Sequence, residues 1–421
     1  MTQPAVRRSV TALLTIGGLI GLLARGPMLF SMGTNDMNVY YYWARNALDS
    51  SLPSTYHGIY FPLQYQVFEL CVLIATKSGA DFIPVLKLSN LVFDVGSFGL
   101  LCLLLKRQGS NPAYALLYWL HPWFLSIFSL GYIDYQFTFF VLLSIYLLRQ
   151  GTARDFVVSG IPLGVAFLMK PQALILMIAS FIYFVFHYAR TRDARPLGLM
   201  AFPILLFLGY EAYFTIALFS ASGYDAVRTL PASYLNVTNA MPALNAQMPN
   251  FWYPIAYFMK RPDDRIYAVS DQIHLLPGIP AKYLAAAVVL ALVGLYVFRV
   301  ERRGELPVSD KFAGMFGFAS VAVPFLMTSG HENHLFLGSV FLVLFMAGRL
   351  PLSPKVATHI LLVVQFLNIY GLYGRHPYWL ARFLRGAYDV KYVPLAYSLI
   401  SVACFVVILT ALWPRRHSTG L

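Results

Sequence analysis

Charge is what this chain has least of. Only 12% of its 421 residues are Asp, Glu, Lys or Arg, about half of what a soluble domain carries. Acidic residues are the scarcest, 18 Asp and Glu against 31 Lys and Arg. That deficit excludes an ordinary water-facing surface, and 58% hydrophobic residues place the chain in a bilayer instead. The basic excess is not a nucleic-acid footprint, because Lys and Arg recur as short clusters between apolar runs and form no single stripe. Cysteine is nearly missing too. Cys71, Cys102 and Cys404 are odd in number, far apart and set in apolar segments. They show no metal or redox spacing and read as small buried hydrophobes. Tandem repeats, low-complexity tracts and a separate soluble domain are all lacking, so residues 1–421 read as a single transmembrane domain.

Aromatic residues are abundant by contrast. At 16% they fit interfacial belts and a cavity lined with rings. A membrane-crossing helix needs about 20 apolar residues. Such runs fall near 10–30, 88–105, 113–131, 135–149, 156–169, 172–189, 197–219, 281–299, 313–328, 335–349, 356–373 and 393–413. The expectation is an all-α polytopic membrane protein with about twelve transmembrane helices. Arg7-Arg8 and the run to Phe30 resemble a signal peptide, but the run is long enough to span and no small-residue cleavage site follows, so it reads as an uncleaved first span. Basic clusters stand at every second connection: Arg7-Arg8, Lys106-Arg107, Arg149 with Arg154, Arg190 with Arg192 and Arg195, Arg299 with Arg302-Arg303, Arg349 with Lys355, and Arg415-Arg416. The positive-inside rule then puts both termini in the cytoplasm. Residues 63–76 would break this alternation if they crossed. They carry Gln64, Gln66 and Glu69, and read as an amphipathic helix in the outer interface. Long external loops remain at 31–87, 220–280 and 374–392.

Four polar features share the outer ends of the expected spans: Asn35-Asp36 with Tyr40-Tyr41-Tyr42-Trp43, Gly131-Tyr-Ile-Asp134-Tyr-Gln136, Lys170-Pro171-Gln172, and His331-Glu332-Asn333-His334. Ionisable groups at span ends facing a cavity are candidates for function. Each has a plain alternative. Asp36 suits the N-cap of a helix over 37–48. Asp134 suits a solvated turn. Lys170 can snorkel to headgroups, although the helix-breaking Pro171 favours a site. His331 and His334 are three apart and could suggest a metal pair, a weak signal without a further clustered Asp, Glu or Cys ligand. Lys87, Asn90 and Asp94 fall on one helix face and read as an internal polar contact. In loop 220–280, Pro242–Tyr253 mixes amides, aromatics and prolines, a composition suited to sugars or to a packed lid, with Asn250 and Trp252 the chief candidates. The sequon Asn236-Val-Thr238 lies in the same loop.

In order along the chain, these pieces resemble the GT-C superfamily of integral-membrane glycosyltransferases. The resemblance covers nearly the whole length. It is carried by Asn35-Asp36 with Tyr41-Tyr42-Trp43-Ala44, Tyr60-Phe61-Pro62-Leu63, Lys87-x-x-Asn90-x-x-x-Asp94, His121-Pro122 followed by Gly131-x-x-Asp134, Lys170-Pro-Gln172, Asn245-Ala-x-x-Pro-Asn-x-Trp252 and His331-Glu332. The aminoarabinose and protein O-mannosyl branches resemble it less. Their Lys before the first-loop Pro is replaced by Ile59-Tyr60-Phe61, and their acidic pair is Asn35-Asp36 here.

The resemblance implies a GT-C-like fold and transfer of a hexose or pentose, with inversion, from a polyprenyl-phosphate sugar to a glycan, glycolipid or protein acceptor. The lipid-phosphate sugar is a co-substrate, no cofactor is implied, and a divalent metal finds no support in the residues. Asp36 is the expected base, since an acceptor hydroxyl needs one in hydrogen-bond reach. Asp134 joins it, to orient a sugar hydroxyl or pair with Lys170. Lys170 and His331 would compensate the leaving phosphate, with Arg228 and Arg375 behind them. Asn35, Tyr42, Trp43, Gln172, Glu332, Asn250 and Trp252 complete the expected substrate contacts. The resemblance also implies a bacterial inner membrane. A multi-pass transporter or flippase of a lipid-linked or small polar substrate is the rival; it expects related halves and charges at the bilayer midplane.

Overall fold

The computed structural model describes residues 3–56, 59–222, 242–261, 264–303, 306–347, 350–373 and 392–414. Arg228, Arg375, the sequon at Asn236 and residues 374–391 of the last long loop lie outside them. Helix accounts for 78% of the structure. The apolar runs explain this, because backbone in hydrocarbon must satisfy its own N–H and C=O groups. Among the described residues seven helices are long and apolar enough to cross a membrane: Ser9–Met28, Phe82–Arg107, Pro171–Thr191, Arg195–Ala217, Ala281–Arg302, Leu352–Tyr373 and Val393–Leu412. A bent pair, Pro112–Leu120 and Pro122–Leu130, makes an eighth if it acts as one span. The chain is a multi-pass helical membrane protein. The expected runs near 135–149 and 335–349 form helices of 14 and 11 residues. Eleven residues reach about 17 Å, short of the ~30 Å hydrocarbon core.

The chain packs as two compact units. The first draws on residues within 1–108, 112–181 and 193–241. It contains α1 (Gln3–Met28), α2 (Asp36–Asp49), α3 (Leu52–Thr55), α4 (Pro62–Ser78), α5 (Phe82–Arg107), α6 (Ala115–Leu120), α7 (Pro122–Leu130), α8 (Asp134–Leu147), α9 (Ala153–Met169), the first half of α10 (Leu174–Thr191) and α11 (Gly198–Ser222). The helix expected over 63–76 is α4. It turns Tyr65, Phe68 and Cys71 inward and Leu70, Leu73 and Ile74 outward. Proline at N1 opens α7, where its missing N–H is harmless. His121 precedes it and accepts the Trp123 N–H at Nδ1; α6 and α7 meet there at 49°. The polar face expected on α5 is real. Lys87, Asn90, Asp94 and Ser97 are all fully buried. Asp94 takes the Arg25 guanidinium of α1 and the Tyr118 hydroxyl, with Arg25 lying 3.7 Å over the Trp119 ring.

The second unit draws on 109–111, 182–192 and 242–421. It contains α12 (Trp252–Met259), a two-stranded antiparallel hairpin of β1 (His274–Leu276) and β2 (Ile279–Pro280), α13 (Ala281–Arg302), α14 (Val308–Leu326), α15 (Phe336–Met346), α16 (Leu352–Tyr373) and α17 (Val393–Leu412). Every side chain of α15 except Phe345 is buried. Its Leu342 joins Val321 and Phe325 of α14, Leu361 of α16 and Phe405 of α17 in one core. Phe325 and Phe405 stack at 4.5 Å.

Candidate functional site

Two turns of the first unit carry the two expected carboxylates, and backbone contacts join them. The chain leaves α1, turns at Gly33 with φ +74°, and donates the Thr34 N–H to the Leu130 carbonyl at 3.0 Å. The other turn pivots at Gly131 with φ +81°. Both angles favour glycine. A Cβ at Gly33 would also stand 2.7 Å from the Leu130 oxygen. Asp36 is therefore placed by a hydrogen bond to the segment that leads into Asp134. It is half-buried and is the first residue of α2, where a negative charge suits the helix dipole. The cap position belongs to the exposed Asn35, one residue before the expected cap, and no side chain closes it.

Asp134 is also the first residue of its helix, α8. It is not a solvated turn residue. Its Oδ1 accepts from Lys170 Nζ at 2.6 Å, with both side chains 2% exposed. Lys170 ends α9 in extended backbone before Pro171. Its ammonium lies 5.3 Å from the Phe137 ring centroid and does not snorkel. Beside the pair, Gln136 donates to Asn90 Oδ1 at 2.8 Å and accepts from Gln64 at 3.0 Å. The Phe61 N–H reaches the Met169 carbonyl at 3.4 Å, so the Tyr-Phe-Pro-Leu stretch is tied to the residue before Lys170. Gln172 is half-buried, and its Oε1 has no hydrogen-bond partner among the described residues.

The aromatic run after Asp36 divides by helical phase. Tyr42 is 64% exposed, whereas Trp43 stacks on Tyr65 at 5.3 Å and Tyr40 on Phe68 at 4.5 Å. The Tyr40 and Tyr60 hydroxyls lie 2.9 Å apart. Burial pushes both phenols well above their ordinary range. For Tyr40, Tyr60 and then Asp36 and Asp134 add to the rise; for Tyr60, the Tyr40 hydrogen bond opposes it while Asp36 and Asp134 add. The hydroxyl pair therefore feels both carboxylates. Tyr40 belongs to the aromatic run beside Asp36 and Tyr60 to a stretch that carries the resemblance, but the sequence assigns neither a role. Only the return of α4 against α2 brings the two together.

The expected residues of the second unit form their own cluster. His331 makes backbone bridges to Ala246 and Gln247, and the Gly330 carbonyl accepts from the Ala246 and Met248 N–H groups, each at 3.2 Å. Gln247 and Ser329 have φ of 72° and 57°, a conformation non-glycine residues rarely hold. The side chain of Glu332 is 2% exposed, accepts from the Tyr373 hydroxyl, and has Oε2 3.7 Å from His331 Nδ1. His334 accepts the His331 N–H at 3.2 Å. Among the described residues no three His, Cys, Asp or Glu side chains gather as metal ligands. Asn250 is fully buried: its Oδ1 accepts from Asn245 and from the Trp252 N–H, and its Nδ2 donates to Pro324. Trp252 donates Nε1–H to Leu326 at 2.7 Å. Both hold the loop against the end of α14 with the polar atoms expected to meet a sugar.

Family models and curated proteins both yield no match to this chain. Fold and composition define the class, a multi-pass helical membrane protein carrying buried polar clusters in each of its two units.

Proposed function

We propose that this protein is an integral-membrane glycosyltransferase. It moves a hexose or pentose from a polyprenyl-phosphate donor to an acceptor hydroxyl on the extracytoplasmic side, with inversion. The carrying observation is the unequal setting of two carboxylates on adjoining turns. Asp134 is buried against Lys170, while Asp36 is half-exposed at the start of α2. A buried carboxylate suits orientation, whereas one that meets solvent suits proton transfer.

Asp36 takes the acceptor proton as the acceptor oxygen bonds to the anomeric carbon. The bond from that carbon to the phosphate oxygen breaks, and polyprenyl phosphate leaves with the electron pair. A phosphate leaving group needs no general acid. It needs preorganised positive charge, and Lys170 offers it: among the described residues Nζ donates only to Asp134, so two N–H groups remain. The Gln172 amide oxygen suits a sugar hydroxyl donor. Asn35, Tyr42 and Trp43 keep their assignment beside Asp36. His331, Glu332, Asn250 and Trp252 are assigned to substrate binding by resemblance alone. The protein belongs, on this reading, to a bacterial inner membrane with both termini in the cytoplasm.

The test is sugar transfer by the full chain in proteoliposomes with a polyprenyl-phosphate sugar, and mass spectrometry of envelope glycans in a deletion strain. Asp36→Asn is expected to insert normally and lose at least about 100-fold in turnover. Near wild-type transfer in that variant removes Asp36 as the base. The buried Arg25–Asp94 pair favours the rival, since ionisable groups inside a bundle often mark transport paths. Substrate flux across the bilayer without glycosidic-bond formation would establish a transporter or flippase.

A further inference from the structure

Lys87 takes no part in the proposed transfer step, yet its ammonium meets four oxygens of the first unit. Its side chain is fully buried. Nζ lies 3.0 Å from the Met28 carbonyl, 2.6 Å from both the carbonyl and the Oγ of Ser31, and 2.7 Å from the Ser129 carbonyl. Three N–H groups are shared among four oxygens. Among the described residues no carboxylate forms an ion pair with it.

A buried charge without a counter-ion is strongly unfavourable unless its surroundings replace water. Here the replacement is the negative end of two helices. Met28 is the last residue of α1, and Ser129 lies in the last turn of α7. Carbonyls at helix C-termini lack intrahelical partners and carry the negative pole of the dipole. One ammonium therefore caps two helices at once.

Each of these helices runs directly into the candidate site. Ser31 and Ser129 each stand five residues ahead of a candidate carboxylate, Asp36 and Asp134. Ser31 Oγ also donates to the Ser129 carbonyl at 2.9 Å, next to the Thr34–Leu130 bond. A Cβ on Gly131 would lie 3.3 Å from Lys87 Cε, so the stem is packed under the same turn. Farther along α5, Asn90 Nδ2 donates to the Tyr132 carbonyl at 3.1 Å, between that turn and Asp134.

We propose that Lys87 is a positioning residue for sugar transfer, its ammonium locking the segments 31–36 and 129–134 into one register and so setting where Asp36 and Asp134 stand. The role rests on the reading of Asp36 as the base. Lys87 touches neither carboxylate and acts through the backbone that carries them.

The test uses Lys87→Met in the full chain in nanodiscs, with two readouts. The first is amide hydrogen exchange. Peptides covering 31–36 and 129–134 are expected to exchange at least about 10-fold faster, while peptides of α9 and α11 keep their wild-type rates. The second is a kinetic cycle with Asp36→Asn. Lys87→Met alone is expected to lower kcat about 100-fold, the loss that a displacement near 1 Å brings, with donor KM changed less than about threefold. In the Asp36→Asn background the same change is expected to lower residual turnover less than about threefold, because a misplaced base and an absent base are equivalent.

Unchanged exchange in both segments overturns the lock. Accelerated exchange throughout the unit, or a full 100-fold loss in the Asp36→Asn background, makes Lys87 merely structural and overturns the positioning role. If the wild type transfers no sugar the proposed function fails, and if Asp36→Asn keeps full turnover Asp36 is not the base; either result takes the positioning role with it, and the exchange data tell it apart from a failed lock. Should Lys87→Met fail to insert, Ser31→Ala, which removes the shared Oγ, carries both measurements with the same expected directions.

Discussion

Asp134 and Lys170 stand 2.6 Å apart at 2% exposure, so each charge is tolerable only because the other is there. Removing one partner strands the other. Lys170→Met is expected to lower unfolding stability by about 3–5 kcal/mol, and the double change Asp134→Asn with Lys170→Met to recover more than half of that, as measured by thermal unfolding in detergent. Equal stability of Lys170→Met and wild type would show that Asp134 finds another way to be neutral. Both residues are visible in the sequence as span-end groups, and the resemblance offers their pairing as one of two roles for Asp134; the sequence does not choose between the two, because 36 positions of chain separate the partners. The Tyr40–Tyr60 hydroxyl pair is less visible still. Each tyrosine lies in a stretch the sequence singles out, but among 28 tyrosines nothing in local pattern says that these two meet.

At the level of single elements, α9 shows how a helix start is written and how it responds to pH. Thr152 accepts the Asp155 N–H at 3.1 Å, and the Asp155 carboxylate accepts from the Gln150 and Thr152 N–H groups at 2.8 and 3.3 Å. This is a reciprocal capping box. Slight burial works against the ionised carboxyl, but the N–H groups of Gln150 and Thr152 outweigh it and hold Asp155 below the usual carboxylate range. A depressed folded-state value means that the stabilisation is fully present above the unfolded value of 3.8. It disappears as pH falls from there through the folded value. Asp155→Asn is expected to flatten acid unfolding in that window and leave the neutral-pH side of the curve sloped as in wild type. An unchanged acid slope would remove Asp155 from the acid response. The polar stripe of α5 is likewise legible, since Lys87, Asn90 and Asp94 fall on one face by spacing alone. That spacing names the face and leaves open the partners, which come from α1, α6, α7 and α8.

For the whole molecule, sidedness decides whether the proposed chemistry is possible. Asn35 is exposed beside Asp36, while Cys71 and Cys404 are buried and Cys102 partly so, which gives a quiet background for labelling. Asn35→Cys is expected to react with a membrane-impermeant maleimide in intact cells, and Gln108→Cys only after permeabilisation. The reverse pattern would put Asp36 on the cytosolic surface, away from an extracytoplasmic donor. Membrane residence and a mainly helical architecture were determined by the sequence itself, because hydrocarbon leaves an apolar run no other way to satisfy its backbone. The sequence also set the positions of most helices, through runs of apolar residues and the prolines and glycines that interrupt them. The number of crossings was not set this way. The helices Asp134–Leu147 and Phe336–Met346 are apolar and mostly buried in protein, and hydropathy does not distinguish such surroundings from lipid. Tertiary structure alone decided that Asp134 meets Lys170, which cation caps two helices, and which amides hold a loop. Each of these depends on atoms meeting within about 3 Å across long stretches of chain, and no local pattern encodes such a meeting.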